Sequence, residues 1–481
     1  MSAGATGPAT TAAGVTDPLA DLLADWAPRQ RWFAHKGSAV RVERLERTTL
    51  DETGVAHLVA LTVSTTGAEE GAAPVSTVYQ VPVTVRHAPD DALAHALVGH
   101  LPDVDGFPVW VYDGPHDPTF TRALRVLVAS EEGAGDRAFG AQGTSADGGL
   151  AVPVEARTKV LSGEQSNTSL VITPDDGGPA LIAKVFRVLN AGDNPDVVVQ
   201  TVLAGAGCER VPRPAGWVDG TWTAPDGTRA RGHLAHLTEF LAGSEDAWRV
   251  ATAAVAGGRA FGTEAAALGR ATAEVHAVLA GTLPTEPATP ERLAAVADAL
   301  AARVAWAAAE VPALRELAGA ARERVEAVRS VTGAPDLQRV HGDYHLGQVL
   351  HSAARGWVLL DFEGEPLRPL AERSLPDLAL RDVAGMLRSF DYAGSSAGPA
   401  AGVDPEAARA WTLACREAFL AGYAEVAGTG PATDARVEGS PAQVLLGALE
   451  LDKALYEVVY EARNRPTWLE VPLGAVRRLL S

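Results

Sequence analysis

Cysteine is almost absent from this 481-residue chain: there are two, Cys208 and Cys415, far apart. Two isolated thiols make neither a disulfide framework nor a zinc cluster. Positive charge is also scarce, with 41 Lys and Arg against 60 Asp and Glu and a net charge of −19. That excess repels phosphate backbones and argues against nucleic acid as a partner. No apolar run approaches the ~20 residues of a membrane span. The start, Met1–Thr16, is rich in Ala, Gly and Thr and lacks the basic and apolar stretches of a signal peptide. The expectation is a cytoplasmic enzyme. The length allows two or three domains and a large core.

Residues 1–17 read as a disordered tail. Residues from Pro18 carry apolar side chains at helical spacing. VERLERTTL, VAHLVALTVST and STVYQVPVTVRH alternate as strands do, which predicts a small antiparallel sheet before about residue 90. Glu131 to Gly149 is Gly-, Ala- and Ser-rich and reads as a loop or linker. VEARTKVLSGEQSNTSLVIT then suggests two strands around a polar turn, and PALIAKVFR another strand. After about Leu241 the Ala-rich blocks 263–281, 290–309 and 311–330 read as bundle helices. The expected class is α+β, with a strand-rich region over 18–115, a second strand-rich lobe over 116–242 and a mainly helical lobe over 243–481. Two unlike lobes in that order suit a kinase.

The most specific chemistry lies in VHGDYHLGQVL (Val340–Leu350) followed by VLLDFEGEP (Val358–Pro366). Phosphoryl transfer needs a carboxylate for the attacking hydroxyl, and oxygen ligands that hold a metal from two directions. Asp343 supplies the first. Gln348, five residues on, and Asp361, at the end of an apolar strand, supply the ligands. Read separately, Asp343 would be a turn cap and Asp361 a solvated strand end.

These two segments resemble the catalytic and metal loops of aminoglycoside-phosphotransferase-like kinases, with Gln348 where Asn is commoner. The longer string from Leu359 to Tyr392, PRQRWFAHKG (Pro28–Gly37) and YEVVYEARNRPTWLEVPL (Tyr456–Leu473) are similar to the maltokinase family in particular. The resemblance covers nearly the whole chain in order. It implies a bilobal protein-kinase-like fold with an N-terminal cap. It also implies ATP and Mg²⁺ as cofactors, and transfer of the γ-phosphate to maltose to give maltose 1-phosphate for α-glucan synthesis. A kinase of another sugar or amino sugar, such as glucosamine, is the alternative. A weakly catalytic scaffold attached to an enzyme of trehalose or glucan metabolism is a third reading.

On the nucleotide side, Leu161–Ile172 would be the turn over the phosphates, with Gly163, Ser166 and Asn167 letting backbone N–H groups approach anionic oxygens. Lys184 would reach the phosphates; taken alone it reads as an edge-strand lysine. Glu239, Phe240 and Leu241 fall where adenine would bind. The related family usually places a glutamate two positions after NPD to pair with the lysine. Here Val198 stands there, which leaves Asp196, Glu209 or a metal-bound phosphate as partner.

A sugar site needs polar groups for the edges of the ring and aromatics for its faces. Tyr456, Tyr460, Glu461, Arg463, Asn464 and Trp468 offer that mixture, with the tyrosines on one helical face; on spacing alone they read as core. His345 either positions the acceptor or hydrogen-bonds the loop, the latter favoured. Glu363 is a further acceptor-side candidate. Arg381–Asp382 would orient the catalytic loop through an ion pair. The basic RQRWFAHKG reads as a docking anchor in preference to a phosphate contact.

Overall fold

The computed structural model describes residues 17–65, 75–161, 166–365 and 369–481, without the side chains of 398–400. Gly163 and the first 16 residues of the expected tail lie outside them, whereas Asp17, its last residue, stands at the start of a helix. The chain divides into two units: residues up to Thr201 with Arg213–Ala242, and Val202–Pro212 with Gly243–Ser481.

The first unit opens with helix α1 (Pro18–Trp26), capped by the Asp17 carboxylate accepting from Leu19 N–H. Strands β1 (Val40–Thr49), β2 (Ala56–Thr65) and β3 (Val75–Arg86) follow as the alternation predicts. The sheet runs further than expected, through β4 (Leu97–Pro102) and β5 (Pro108–Asp113), in the order β1-β2-β3-β5-β4. Both faces of β2 are buried. Val59, Leu61 and Val63 join Leu19, Leu23, Trp32 and Phe33 in one core. Ala56, Leu58 and Ala60, on the other face, join a second core. Period-two alternation assigns successive residues to opposite cores.

Helix α2 (Pro118–Ala129) leads into the second sheet, which contains β6 (Gly133–Gly135), β7 (Gly140–Ser145), β8 (Ala156–Val160), β9 (Asn167–Pro174) and β10 (Leu181–Phe186). After β11 (Val188–Leu189), which pairs with β3, and helix α3 (Pro195–Gly205), β12 (Pro214–Thr223) and β13 (Arg229–Glu239) complete the order β6-β7-β12-β13-β10-β9-β8. The stretch expected to be a linker, 131–149, therefore holds two strands. Gly143 is there for packing. A Cβ on Gly143 would stand 1.9 Å from the Leu127 carbonyl oxygen, so only glycine lets β7 lie against α2. Of the basic motif, Trp32 and Phe33 are buried and the arginines and Lys36 are exposed: Phe33 stacks on Tyr79 with centroids 4.7 Å apart, and the Arg187 guanidinium lies 4.8 Å over the Trp32 ring.

The second unit is mainly helical. After β14 (Glu245–Asp246) come α4 (Ala247–Ala256), α5 (Gly262–Thr282), α6 (Pro290–Glu310) and α7 (Ala318–Glu326). The third Ala-rich block is not one helix. Pro312 cannot continue α6, and short 3₁₀ turns flank α7. Strands β15 (Val349–Ser352) and β16 (Gly356–Leu359) form a hairpin paired with β14. Then follow α8 (Leu370–Arg373), α9 (Leu380–Ala400), α10 (Pro405–Ala427), α11 (Pro441–Asn464) and α12 (Glu470–Leu480). No described helix is long and apolar enough to cross a membrane. The class is α+β, as expected.

Candidate active site

The segment carrying Asp343 is held from α9 by a buried carboxylate. Asp382 Oδ2 accepts from His341 N–H at 2.7 Å and from His276 Nε2 at 3.0 Å, and Oδ1 accepts from Gly342 N–H at 2.9 Å. Burial raises the Asp382 carboxyl, but these donors and the charges of His276 and His341 bring it below its ordinary value. Asp382 does this without Arg381. That arginine instead bonds Asp377 and Asp452, so the two neighbours do not orient the loop as a pair. Gly342 has φ +84°, and a Cβ there would stand 3.1 Å from Gly364 Cα; the two loops pass where a side chain would separate them. His341 Nε2 donates to the Leu360 carbonyl at 2.7 Å, tying the same loops together.

Asp343 Oδ1 accepts from Lys453 Nζ of α11 at 3.1 Å. Burial pushes the Asp343 carboxyl up, but the Lys453 ammonium, followed by His345 and His341, outweighs it and leaves the group below the usual carboxylate range. Burial pulls Lys453 down, but Asp343, Glu457 and Glu365 push it above its ordinary value. Both members are therefore charged at neutral pH. Beside them is a crevice of about 30 Å³ lined by Arg303, Gly342, Glu365, Asp452, Lys453 and Tyr456, among others.

Gln348 and Asp361 lie at the same end of the β15–β16 hairpin. Leu360 N–H donates to the Gln348 carbonyl at 2.9 Å, and the chain turns at Asp361 with φ +67°. That left-handed conformation is uncommon outside glycine, and aspartate is among the residues that tolerate it. Carboxylate oxygens of Asp361 and Glu363 lie within 4.8 Å of each other. Gln348, Asp361 and Glu363 offer only oxygen, the donor type that hard divalent cations take. His345 Nδ1 accepts from Gly347 N–H at 3.0 Å, capping the turn at Leu346–Gln348. Burial, which outweighs the nearby Asp343, lowers its pKa and keeps the ring neutral.

Of the six acceptor candidates near the C-terminus, only Tyr456 lines the crevice. Tyr460 stacks against it with centroids 6.4 Å apart, as the i, i+4 spacing predicts, and is largely exposed. Glu461 is buried and engaged by Arg465 and by Tyr392 Oη at 3.1 Å. Arg463 pairs with Glu310 at 2.7 Å. Asn464 Nδ2 donates to the Tyr460 carbonyl, and Trp468 stacks on Tyr392. Lys453, Arg303, Asp452 and Glu365 were missed by sequence reasoning. The available signal for Lys453 was the polar group Asp452, Lys453, Tyr456 and Glu457, set between apolar residues in the middle of α11.

In the first unit, β10 places Lys184 opposite Ser169 of β9 and His236 of β13. Its Nζ lies 3.1 Å from Asp196 Oδ2, so the acid in the first turn of α3 does what the residue at Val198 does not. Asp196 is buried, but Lys184 and then His236 and Gln200 hold its carboxyl far below its ordinary value. Asn167 begins β9 and Ser166 precedes it; residues 162–165 lie outside the described residues. Glu239 ends β13 and pairs with Arg213 at 3.2 Å; Leu241 follows two residues on.

Residues 26–117 match the maltokinase N-terminal cap domain, and residues 157–431 match the phosphotransferase enzyme family. The chain is 32% identical over 330 residues to a glucosamine kinase of Mycolicibacterium smegmatis, covering 66% of this chain and 78% of that one. It is 30% identical over 346 residues to a glucosamine kinase of Streptacidiphilus jiangxiensis, covering 67% and 73%. A solved glucosamine kinase in complex with glucosamine, ADP and inorganic phosphate shares the fold, with a TM-score of 0.64 over 97% of this chain and 100% of that chain at 23% identity. The chain belongs to the phosphotransferase enzyme family and carries a maltokinase-type N-terminal cap.

Proposed function

We propose that this chain transfers the γ-phosphoryl group of ATP to a hydroxyl of a sugar, with Asp343 as the base that orients and receives the hydroxyl proton. The observation that carries the reading is the Asp343–Lys453 pair. It keeps a carboxylate ionised at the edge of a polar crevice, on a loop fixed by Asp382. An ionised, positioned carboxylate is what the attacking hydroxyl requires. The crevice has about a water's volume, so an acceptor would meet the rim residues Tyr456, Lys453, Arg303 and Glu365 and would not enter it.

Gln348 and Asp361 would hold Mg²⁺, with Glu363 beside them. When bound, the ion supplies charge neutralisation at the phosphates. Lys184, fixed by Asp196, would bind the phosphates as a point charge; Gly163, Ser166 and Asn167 would give backbone donors there, and Glu239 to Leu241 would meet the adenine. His345 would brace the catalytic turn.

Maltose is the acceptor we favour, supported by the cap match and by the three motif strings at the start, middle and end of the chain. The product is then maltose 1-phosphate, used in α-glucan synthesis in the cytoplasm, and the cap is where an enzyme of trehalose or glucan metabolism would attach. Glucosamine is the second reading, favoured by the two curated relatives. ADP release with Mg²⁺ and ATP, measured with maltose, glucosamine, glucose and trehalose, decides between them. Turnover with glucosamine alone overturns the maltose assignment, and no turnover with any sugar overturns the kinase reading.

A further inference from the structure

Lys453 Nζ lies 3.1 Å from Asp343 Oδ1 and 5.7 Å from the centroid of the Tyr456 ring, where the base meets the rim of the crevice. The other carboxylates there also face cations. Asp452 takes Arg303 Nε at 3.2 Å and Arg381 Nη1 at 3.1 Å. Glu365 lies 4.0 Å from Arg303 Nη2. Arg303 is in turn held 5.3 Å over the Tyr456 ring. Each of these three carboxylates thus faces at least one cation, and Arg381 is shared with Asp377. Among the described residues at the crevice, an acceptor that brings its own positive charge finds Asp343, Asp452 and Glu365 each already facing a cation, and it meets the Lys453 ammonium beside the reacting position. An uncharged sugar meets no such opposition, because its hydroxyls accept from cations and donate to carboxylates alike.

We infer that Lys453 is a specificity-determining residue, whose ammonium favours uncharged sugar acceptors over those carrying an ammonium group near the reacting hydroxyl. This rests on the reading of Asp343 as the acceptor-side base. Tyr456 and Asp343 fix the position of the charge, and Glu457 and Glu365 help to keep it protonated against its burial.

The test is the ratio of kcat/KM for maltose to that for glucosamine, at a pH where the glucosamine amine is protonated. It is measured on the full chain and on its Lys453→Met and Lys453→Arg variants. The wild type and Lys453→Arg should prefer maltose, and Lys453→Met should lower the ratio by about tenfold or more, the scale of one close like-charge contact. A purely structural lysine would lower both rates together and leave the ratio alone. An unchanged ratio in Lys453→Met, or a wild-type preference for glucosamine, overturns the inference. If Lys453→Met turns over neither sugar, the ratio of calorimetric binding constants for the two sugars replaces the kinetic one, with the same outcomes supporting or overturning the inference. A wild type inactive on maltose, glucosamine, glucose and trehalose alike defeats the proposed function, and the binding ratio still decides the role of Lys453.

Discussion

Asp343 and Lys453 meet at 3.1 Å although 110 residues separate them in the chain. The pair joins a loop rich in polar residues to a helix that is otherwise mostly core. Removing one partner of such a pair leaves the other charge poorly compensated. The site's chemistry and its stability are therefore linked through these two side chains.

Asp343→Asn should reduce turnover by about 10²–10⁴, the range for losing a general base. The amide still accepts from Lys453, so the variant should remain folded. Steady-state ADP release and a thermal melt check both points; near-native turnover in a folded variant contradicts the assigned role.

The pH dependence follows from the direction of the shifts. Asp343 is depressed in the folded chain, so its contribution to stability is present above its unfolded pKa of about 3.9 and is lost as pH falls through the lower folded value. Lys453 is raised, so its contribution is complete below about 10.4 and is lost as pH rises through the higher folded value. The pair is thus intact across the whole neutral range. Activity should show no acid limb from Asp343 above about pH 4. In Lys453→Met, any limb due to Asp343 should move upward. A wild-type limb near pH 6 that persists unchanged in Asp343→Glu would assign the titration to another group.

Asp382 offers a third test. Its carboxylate holds two loop N–H groups and His276. Asp382→Ala should destabilise the chain by about 3 kcal/mol, since two buried donors and one partly buried donor lose their acceptor. Denaturant unfolding measures this; a loss under about 0.5 kcal/mol, the level of an ordinary surface change, contradicts the bracing role.

The nucleotide sheet gives a fourth. Lys184 already pairs with Asp196, so restoring the family's acid by Val198→Glu should not raise turnover. Asp196→Ala should weaken ATP use and lower the melting temperature. A gain of function in Val198→Glu would show that Asp196 does not replace the missing glutamate.

Much of this architecture can be read from the chain. The first three strands show in their apolar, β-branched residues, and β2 has almost no exposed face because each of its faces meets its own core. The helices α5 and α6 follow from Ala-rich periodicity. The strands β6 and β7 do not show, because close approach of β7 to α2 selects small residues that read as a loop; Gly143 is the clearest case. Gly143→Val should accordingly cost several kcal/mol, whereas Gly319→Ala, in open space within α7, should cost nothing and can stabilise.

At the candidate site, Asp343, Gln348 and Asp361 stand out in the sequence because their spacing is local and unusual. Lys453 is harder to read, because its partner lies 110 residues away and only the polar group Asp452, Lys453, Tyr456 and Glu457 within α11 marks it. The same holds for the residues after Tyr456. Their composition suits a sugar, but Glu461 is spent on Arg465 and Tyr392, and Arg463 on Glu310. Composition shows which groups are present and leaves open which of them are engaged elsewhere.

The most direct measurement compares ADP release from ATP and Mg²⁺ with and without maltose, in the wild type and in Asp343→Asn. The account predicts sugar-dependent release in the wild type and a drop of at least about a hundredfold in the variant. Sugar-dependent release that is equal in the two proteins would contradict it.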